Sequence, residues 1–117
     1  MKKSIKITKL YFKYFSSHNI EQLTDLFDKN IKLQDWTSKV IGKKKVLNFN
    51  KKIFKENPKI KVKVINIFPK KNMCCCEIIV KVNNKINIKV IDLITFNNKS
   101  LIKKIIAYKC WAIYFKA

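Results

Sequence analysis

The segment from Ile86 to Tyr114 constrains this chain most: INIKVIDLITF, the polar turn NNKS, then LIKKIIAYKCWAIY. Two long apolar runs around a polar turn predict a β-hairpin. Side chains alternate along a strand, so Ile86, Ile88, Val90, Ile94 and Phe96 share one face. Asp92 falls in the middle of that face. A carboxylate within an apolar stripe is costly unless it is paired, hydrogen-bonded or protonated. Two readings follow. Asp92 is a buried structural acid satisfied by a neighbouring hydroxyl or backbone amide, or it is a functional carboxyl in a pocket.

Upstream of the hairpin the pattern changes period. Ile7, Leu10, Tyr11, Tyr14 and Phe15 recur at helical spacing and predict a first helix over 4–17. Asn19 followed three residues later by Gln22 is a capping-box pattern, opening a short second helix with Ile20, Leu23, Leu26 and Phe27 inward. His18, the only histidine, falls in the connection and reads as an exposed loop residue. IKLQDW predicts a short strand over 31–36, with Asp35 at its end and a loop, TSKVIG, after it. Gly42 and Pro58 bracket a third helix over 43–56, with Val46, Leu47, Phe49, Ile53 and Phe54 inward. Strands follow over 59–68 and 73–82. A turn at 69–72 separates them, and Asn83-Asn84 makes the next hairpin turn.

Helix, helix, short strand, helix and four long antiparallel strands make an α+β chain. A length of 117 residues without linker or repeat predicts one domain, 1–117. A strongly curved antiparallel sheet wrapped by three N-terminal helices would enclose a conical cavity, the kind of place where small ligands bind.

Composition narrows the function classes. No run of about eighteen apolar residues exists, so no membrane-spanning helix is expected. The start, MKKSIKITKLYF, lacks the apolar core and cleavage site of a signal peptide, which predicts a cytoplasmic protein. Cys74, Cys75 and Cys76 are consecutive and point to alternate faces, a poor disulfide framework. With one histidine and no C-x-x-C spacing, no metal site is expected, and all four cysteines read as reduced packing residues, with a redox role for Cys75 as the alternative. The net charge of +20 points toward polyanions. Against that, all 27 basic residues are Lys and none is Arg, the residue suited to bidentate phosphate contacts. The lysines are also spread along the chain, as on a solvated surface, so nucleic-acid binding ranks last.

With these residues in view, the chain resembles the nuclear transport factor 2-like superfamily, and within it the SnoaL-like and ketosteroid isomerase-like proteins. The resemblance rests on YFKYFSSHNIEQLTDLF, on IKLQDW with Gly42 and a helix after it, and on VIDLITFNNKSLIKKIIAY. It covers essentially the whole chain and implies a cone-shaped, cystatin-like roll. The family's usual turn glycine is absent, and Asn97-Asn98-Lys99-Ser100 fill the turn. The steroid isomerases use a general-base Asp, a Tyr on the first helix and a protonated Asp on a later strand. The handling of a carboxylic acid as a neutral hydrogen-bond donor is a known device of that enzyme.

By resemblance, Asp35 takes the base position, Tyr11 the helix donor and Asp92 the strand donor. Trp36 stands where the isomerases have Pro. The pocket would be shaped by Trp36, Phe49, Phe54, Phe96 and Trp111, side chains that serve equally well as plain core. Each candidate has a structural alternative as well: Tyr11 as core, Asp35 as a cap on loop amides, Asp92 as a structural acid.

Three functions therefore compete. One is a cofactor-independent isomerase acting by proton transfer on a small apolar carbonyl compound. Another is a non-catalytic ligand-binding or dimerisation module of the same fold, forming a homodimer through the sheet face that carries Glu77, Ile79 and Lys81. The third is binding to anionic partners through the lysines, with steep salt dependence.

Overall fold

The structure, a computed structural model, describes residues 2–115. Three helices, α1 (Lys2–Ser16), α2 (Ile20–Leu26) and α3 (Lys43–Glu56), accompany six strands. The strands are β1 (Phe27–Gln34), β2 (Lys39–Ile41), β3 (Lys61–Lys70), β4 (Met73–Val82), β5 (Ile86–Phe96) and β6 (Ile102–Tyr114). They form one curved, unclosed sheet in the order β2-β1-β6-β5-β4-β3. The sheet is mixed rather than wholly antiparallel, because β1 runs parallel to β6, with Leu33 opposite Ile105. Among the described residues no helix is long and apolar enough to cross a membrane.

Local chemistry explains where the elements stop. α1 ends in a Schellman motif: Asn19 N–H donates to Tyr14 O at 2.9 Å and His18 N–H to Phe15 O at 3.0 Å. His18 takes the left-handed conformation that this motif requires, φ 56°. Asn19 then caps α2, its Oδ1 accepting from Gln22 N–H at 3.1 Å. Gly42 has φ 100°, a region costly for any residue with a Cβ, and opens α3. Asn83 and Asn84 both have positive φ, 51° and 59°, as a two-residue type I′ hairpin requires. At the last hairpin Asn97 Oδ1 accepts from Lys99 N–H at 2.8 Å and Leu101 N–H at 3.0 Å, doing the work of the missing glycine together with a left-handed Ser100.

The sheet is interrupted by bulges, and these set its curvature. One lies where Val90 pairs with Lys109 but Lys89 pairs with Trp111, leaving Cys110 as the extra residue. Another lies at Ile65 on β3. The concave face buries Cys74, Cys76, Ile78, Val90, Ile94, Phe96, Ile102 and Ile105 against Tyr11, Phe12, Leu23, Phe27 and Val46. Cys110, at its bulge, is exposed rather than packed, while the other three free cysteines are buried or half-buried.

Pro69 and Lys70 belong to β3, not to a turn. This is tolerated because β3 is the edge strand, where a missing N–H need not break the ladder. The segment expected as a loop after Asp35 contains β2, which pairs with β1 through Lys32 and Ile41, Leu33 and Val40, Gln34 and Lys39.

Candidate functional site

The concave face of the sheet does not close completely against the helices. It leaves a cavity of roughly 350 Å³. α1 contributes Tyr11, Phe12 and Phe15, the end of β1 contributes Leu33 to Gln34 with Asp35 and Trp36 beyond it, and α3 contributes Phe49, Asn50 and Ile53. The sheet supplies an apolar wall that includes Ile78, Ile88, Val90 and Ile105, broken by Asp92. Tyr11, Asp35 and Asp92 thus line one cavity.

Asp92 is 6% exposed on β5, opposite Cys76 on one side and Ala107 on the other. Burial pushes its carboxyl up to about 7, because removing water penalises the charged form. Near neutral pH it therefore holds its proton to a substantial extent and can donate. The described hydrogen bonds engage neither this carboxyl nor the Tyr11 hydroxyl, and both stand on the cavity wall.

Tyr11 is held in place by aromatic packing, its ring 5.1 Å from Phe12 and 6.1 Å from Phe27. Its ionisation is driven well above the ordinary range by burial, then by the proximity of the acidic groups of Asp92 and Cys76. The hydroxyl is therefore a donor at any physiological pH. The Cys76 thiol is likewise pushed up by burial first and Asp92 second, so it stays a neutral packing group.

Asp35 is half-buried and performs a structural task. Its Oδ1 accepts from Thr37 N–H at 2.8 Å, Ser38 N–H at 2.7 Å and Thr37 Oγ1 at 3.0 Å. These bonds close the β1–β2 turn, so the loop-capping role is real. All three go to the same oxygen, which leaves Oδ2 outside the turn's hydrogen bonds.

Of the five aromatic residues expected in the pocket, two line it and three do not. Phe49 lines it, as does Trp36, which is 46% exposed with Lys109 Nζ 6.0 Å from its ring centroid. Phe54 is turned toward the α1–α2 connection, where the His18 ring stacks on it at 4.3 Å and 4°, and Phe15 meets it edge-on at 5.0 Å. Phe96 lies on the inner face but beyond Ile94, in the packed core past the end of the cavity.

Trp111 is on the outer face. Continuous alternation from Ile105 and Ala107 would bring it inward, but the extra residue at Cys110 inverts the phase and pairs it with Lys89. His18 is not an exposed loop residue either. Besides its stack, Nε2 lies 2.9 Å from Ile60 O and ties the connection to the start of β3.

Asn50 is a cavity residue that the apolar pattern does not select, and Phe12 on α1, outside the inward set expected for that helix, is another. The buried stripe of α3 is Val46, Asn50 and Phe54, one residue per turn, so the helical spacing contained the signal. The polar side chain of Asn50 sets it apart from the apolar positions that mark the inward face of α3. Among the described residues no group of three or more His, Cys, Asp or Glu side chains could hold a metal ion.

No family model matches this sequence, and no curated protein does. Solved structures do match. An NTF2-like protein of unknown function from Cytophaga hutchinsonii superposes with a TM-score of 0.80 at 16% identity, covering 92% of this chain and 89% of that one. A candidate ketosteroid isomerase from Kribbella flavida superposes at 0.83 and 11% identity, covering 100% and 84%. SalBIII, an epoxide hydrolase/cyclase-like enzyme of pyran ring formation in the polyether salinomycin, superposes at 0.81 and 11% identity, covering 97% of both chains. The chain has the nuclear transport factor 2-like α+β fold that SnoaL-like and ketosteroid isomerase-like proteins share.

Proposed function

We propose that this cavity binds a small apolar carbonyl compound and moves a proton beside the carbonyl without a cofactor. The observation that carries this reading is the lining of one apolar cavity by a buried, readily protonated Asp92, by Tyr11 and by Asp35. Asp35 takes the proton from the carbon next to C=O. Negative charge then develops on the carbonyl oxygen, where the Tyr11 and Asp92 O–H groups stabilise it. In a β,γ-unsaturated ketone the anion is a dienolate, and return of the proton from Asp35 to its γ-carbon moves the double bond into conjugation with the carbonyl. The similar ketosteroid isomerase and cyclase-like folds make this chemistry a natural use of the scaffold, and a pocket of a few hundred Å³ suits a ring-sized ligand.

The test is double-bond migration in a β,γ-unsaturated ring ketone, followed by proton NMR in heavy water with no cofactor added. Wild type should accelerate migration, and Asp35→Asn should remove most of the acceleration. Equal rates in the two proteins would refute the base assignment.

A second reading is favoured by two observations, namely a non-catalytic ligand-binding or dimerisation module. The three hydrogen bonds to Asp35 Oδ1 account for that residue without catalysis. The convex face of the sheet exposes Phe68, Tyr108, Trp111 and Ile113 around the Lys89–Glu77 ion pair, a surface suited to a second copy of this chain.

A further inference from the structure

The cavity contains a polar group that the proposed chemistry does not use. Asn50 is 1% exposed, and its Nδ2 finds no acceptor among the described residues. It lines the same cavity as Asp92. Its neighbours on the α3 wall, Phe49 and Ile53, offer no polar side chain. The other α3-side amide in the cavity is already engaged, since Asn57 Nδ2 donates to Ile53 O at 3.0 Å. Thr8 Oγ1 is also buried and without a partner, but Thr8 does not line the cavity and so has no ligand to meet. A buried donor left unpaired in the free protein is satisfied at no extra desolvation when a ligand brings an acceptor to it.

We infer that Asn50 is a second polar anchor of this cavity, and that its ligand is an apolar molecule with two oxygen functions, one for Tyr11 and Asp92 and one for Asn50. The inference rests on the carbonyl-pocket reading above and adds what the second end of the ligand must carry. Tyr11 belongs to α1 and Asp92 to β5, whereas Asn50 belongs to α3, which packs on β1, β2 and α2. The anchors therefore come from separate elements around the cavity, as a ligand oxygen for each set would require. The second function is an acceptor: a carbonyl, an ether or a hydroxyl oxygen. An apolar ring ketone with no second oxygen would leave the amide unpaired and bind less well.

The experiment compares a fused bicyclic enone, octalone, with the enedione of the same skeleton, which adds a carbonyl on the distal ring. Affinities are measured by titration calorimetry on wild type, Asn50→Leu and Tyr11→Phe. Wild type should prefer the enedione by about tenfold, the value of one net hydrogen bond. That ratio should collapse toward one in Asn50→Leu and survive in Tyr11→Phe. As a readout that needs no variant, the Asn50 side-chain amide protons should move downfield in the NMR spectrum of wild type with the enedione and not with the enone.

An enone that binds through Tyr11 with no enedione preference and no amide shift would overturn the role of Asn50 while leaving the pocket reading standing. Binding of neither ketone would overturn both. A preference that persists in Asn50→Leu would also overturn it, because the discrimination would then come from another group.

Discussion

Replacing Asp92 by Asn removes a titration and keeps the shape of the side chain, which makes it a clean probe of the buried acid. The ordinary carboxyl value is 3.8, and burial places this one at about 7 in the folded protein. Between those values the unfolded chain has lost the proton and the folded chain still holds it. Stability therefore falls as pH rises through this window, because the folded state binds the extra proton. At about 1.36 kcal/mol for each tenfold change in a protonation equilibrium, the interval corresponds to a loss of about 4 kcal/mol. Asp92 is 6% exposed, so solvent does little to screen this effect.

Other groups titrate in the opposite sense. Asp28 is held down by the Asn30 amide and then by Asn97, and Glu77 by Lys89 and then by Asn66. Their contribution is present above the unfolded carboxyl values and is lost on acidification. They are common to both proteins and cancel in the difference.

The assay is urea unfolding of wild type and Asp92→Asn from pH 4 to pH 8, with stability taken from the linear extrapolation. Near pH 4 Asp92 is neutral in both states, and the two proteins should differ by about 1 kcal/mol or less, the scale of a conservative exchange between hydrogen-bonding groups. By pH 8 the variant should be the more stable by several kcal/mol, on the order of the 4 worked out above. Two parallel curves would refute the reasoning. They would mean that Asp92 is solvated, or paired with a cation, in the folded protein.

Three further outcomes follow from the geometry. Tyr11→Phe should leave unfolding stability within about 1 kcal/mol, since no described hydrogen bond engages the hydroxyl, yet weaken binding of octalone about tenfold by calorimetry. Asn19→Ala removes the bond to Gln22 N–H at 3.1 Å and should lower urea stability by about 1 kcal/mol, with no change in ligand affinity. Trp111→Lys, on the convex face, should convert a dimer to a monomer in sedimentation at micromolar concentration while circular dichroism stays the same. Wild type that sediments as a monomer would remove the proposed sheet-to-sheet dimer.

Where local chemistry decides, the sequence was readable. α3 runs over Lys43–Glu56 as expected because Gly42 supplies the left-handed entry and Pro58 closes off continuation. β4 and β5 were legible from alternation, and the Asn83-Asn84 turn from its tolerance of positive φ. The failures have a different origin. The sequence points Trp111 inward, whereas the bulge at Cys110 adds a residue and turns it outward, and an alternating pattern carries no mark of where its phase changes.

The parallel pairing of β1 with β6 joins segments about seventy residues apart, so neither segment's own pattern records it. β2 is only three residues long and held by β1 rather than by its own propensity. Phe54 fits a pocket wall by sequence and lies in packed core, because apolar periodicity tells inside from outside, not cavity wall from core. Asn50 shows the converse: its position was readable and its residue type concealed it.

These buried polar groups also bear on how the site responds to pH. An unpaired buried donor costs about 1–3 kcal/mol, a noticeable share of the 5–15 kcal/mol typical of a whole domain. Asn50 Nδ2 is such a group, and Asp92 is a carboxyl whose desolvation is uncompensated in the free chain. A ligand oxygen that accepts from protonated Asp92 binds that protonation state in preference to the ionised one. Linkage then requires that binding raise the Asp92 value further and that affinity fall as Asp92 ionises. Below about pH 7 the dissociation constant for octalone should be flat, and above it the constant should climb toward tenfold per pH unit.

Asp92→Asn replaces the titrating O–H by an amide N–H that donates at every pH, so its affinity should be independent of pH across the same range. Wild-type affinity that stays constant from pH 6 to pH 9 would show that the ligand does not accept from Asp92. The oxyanion role would then fall even if the cavity binds ketones.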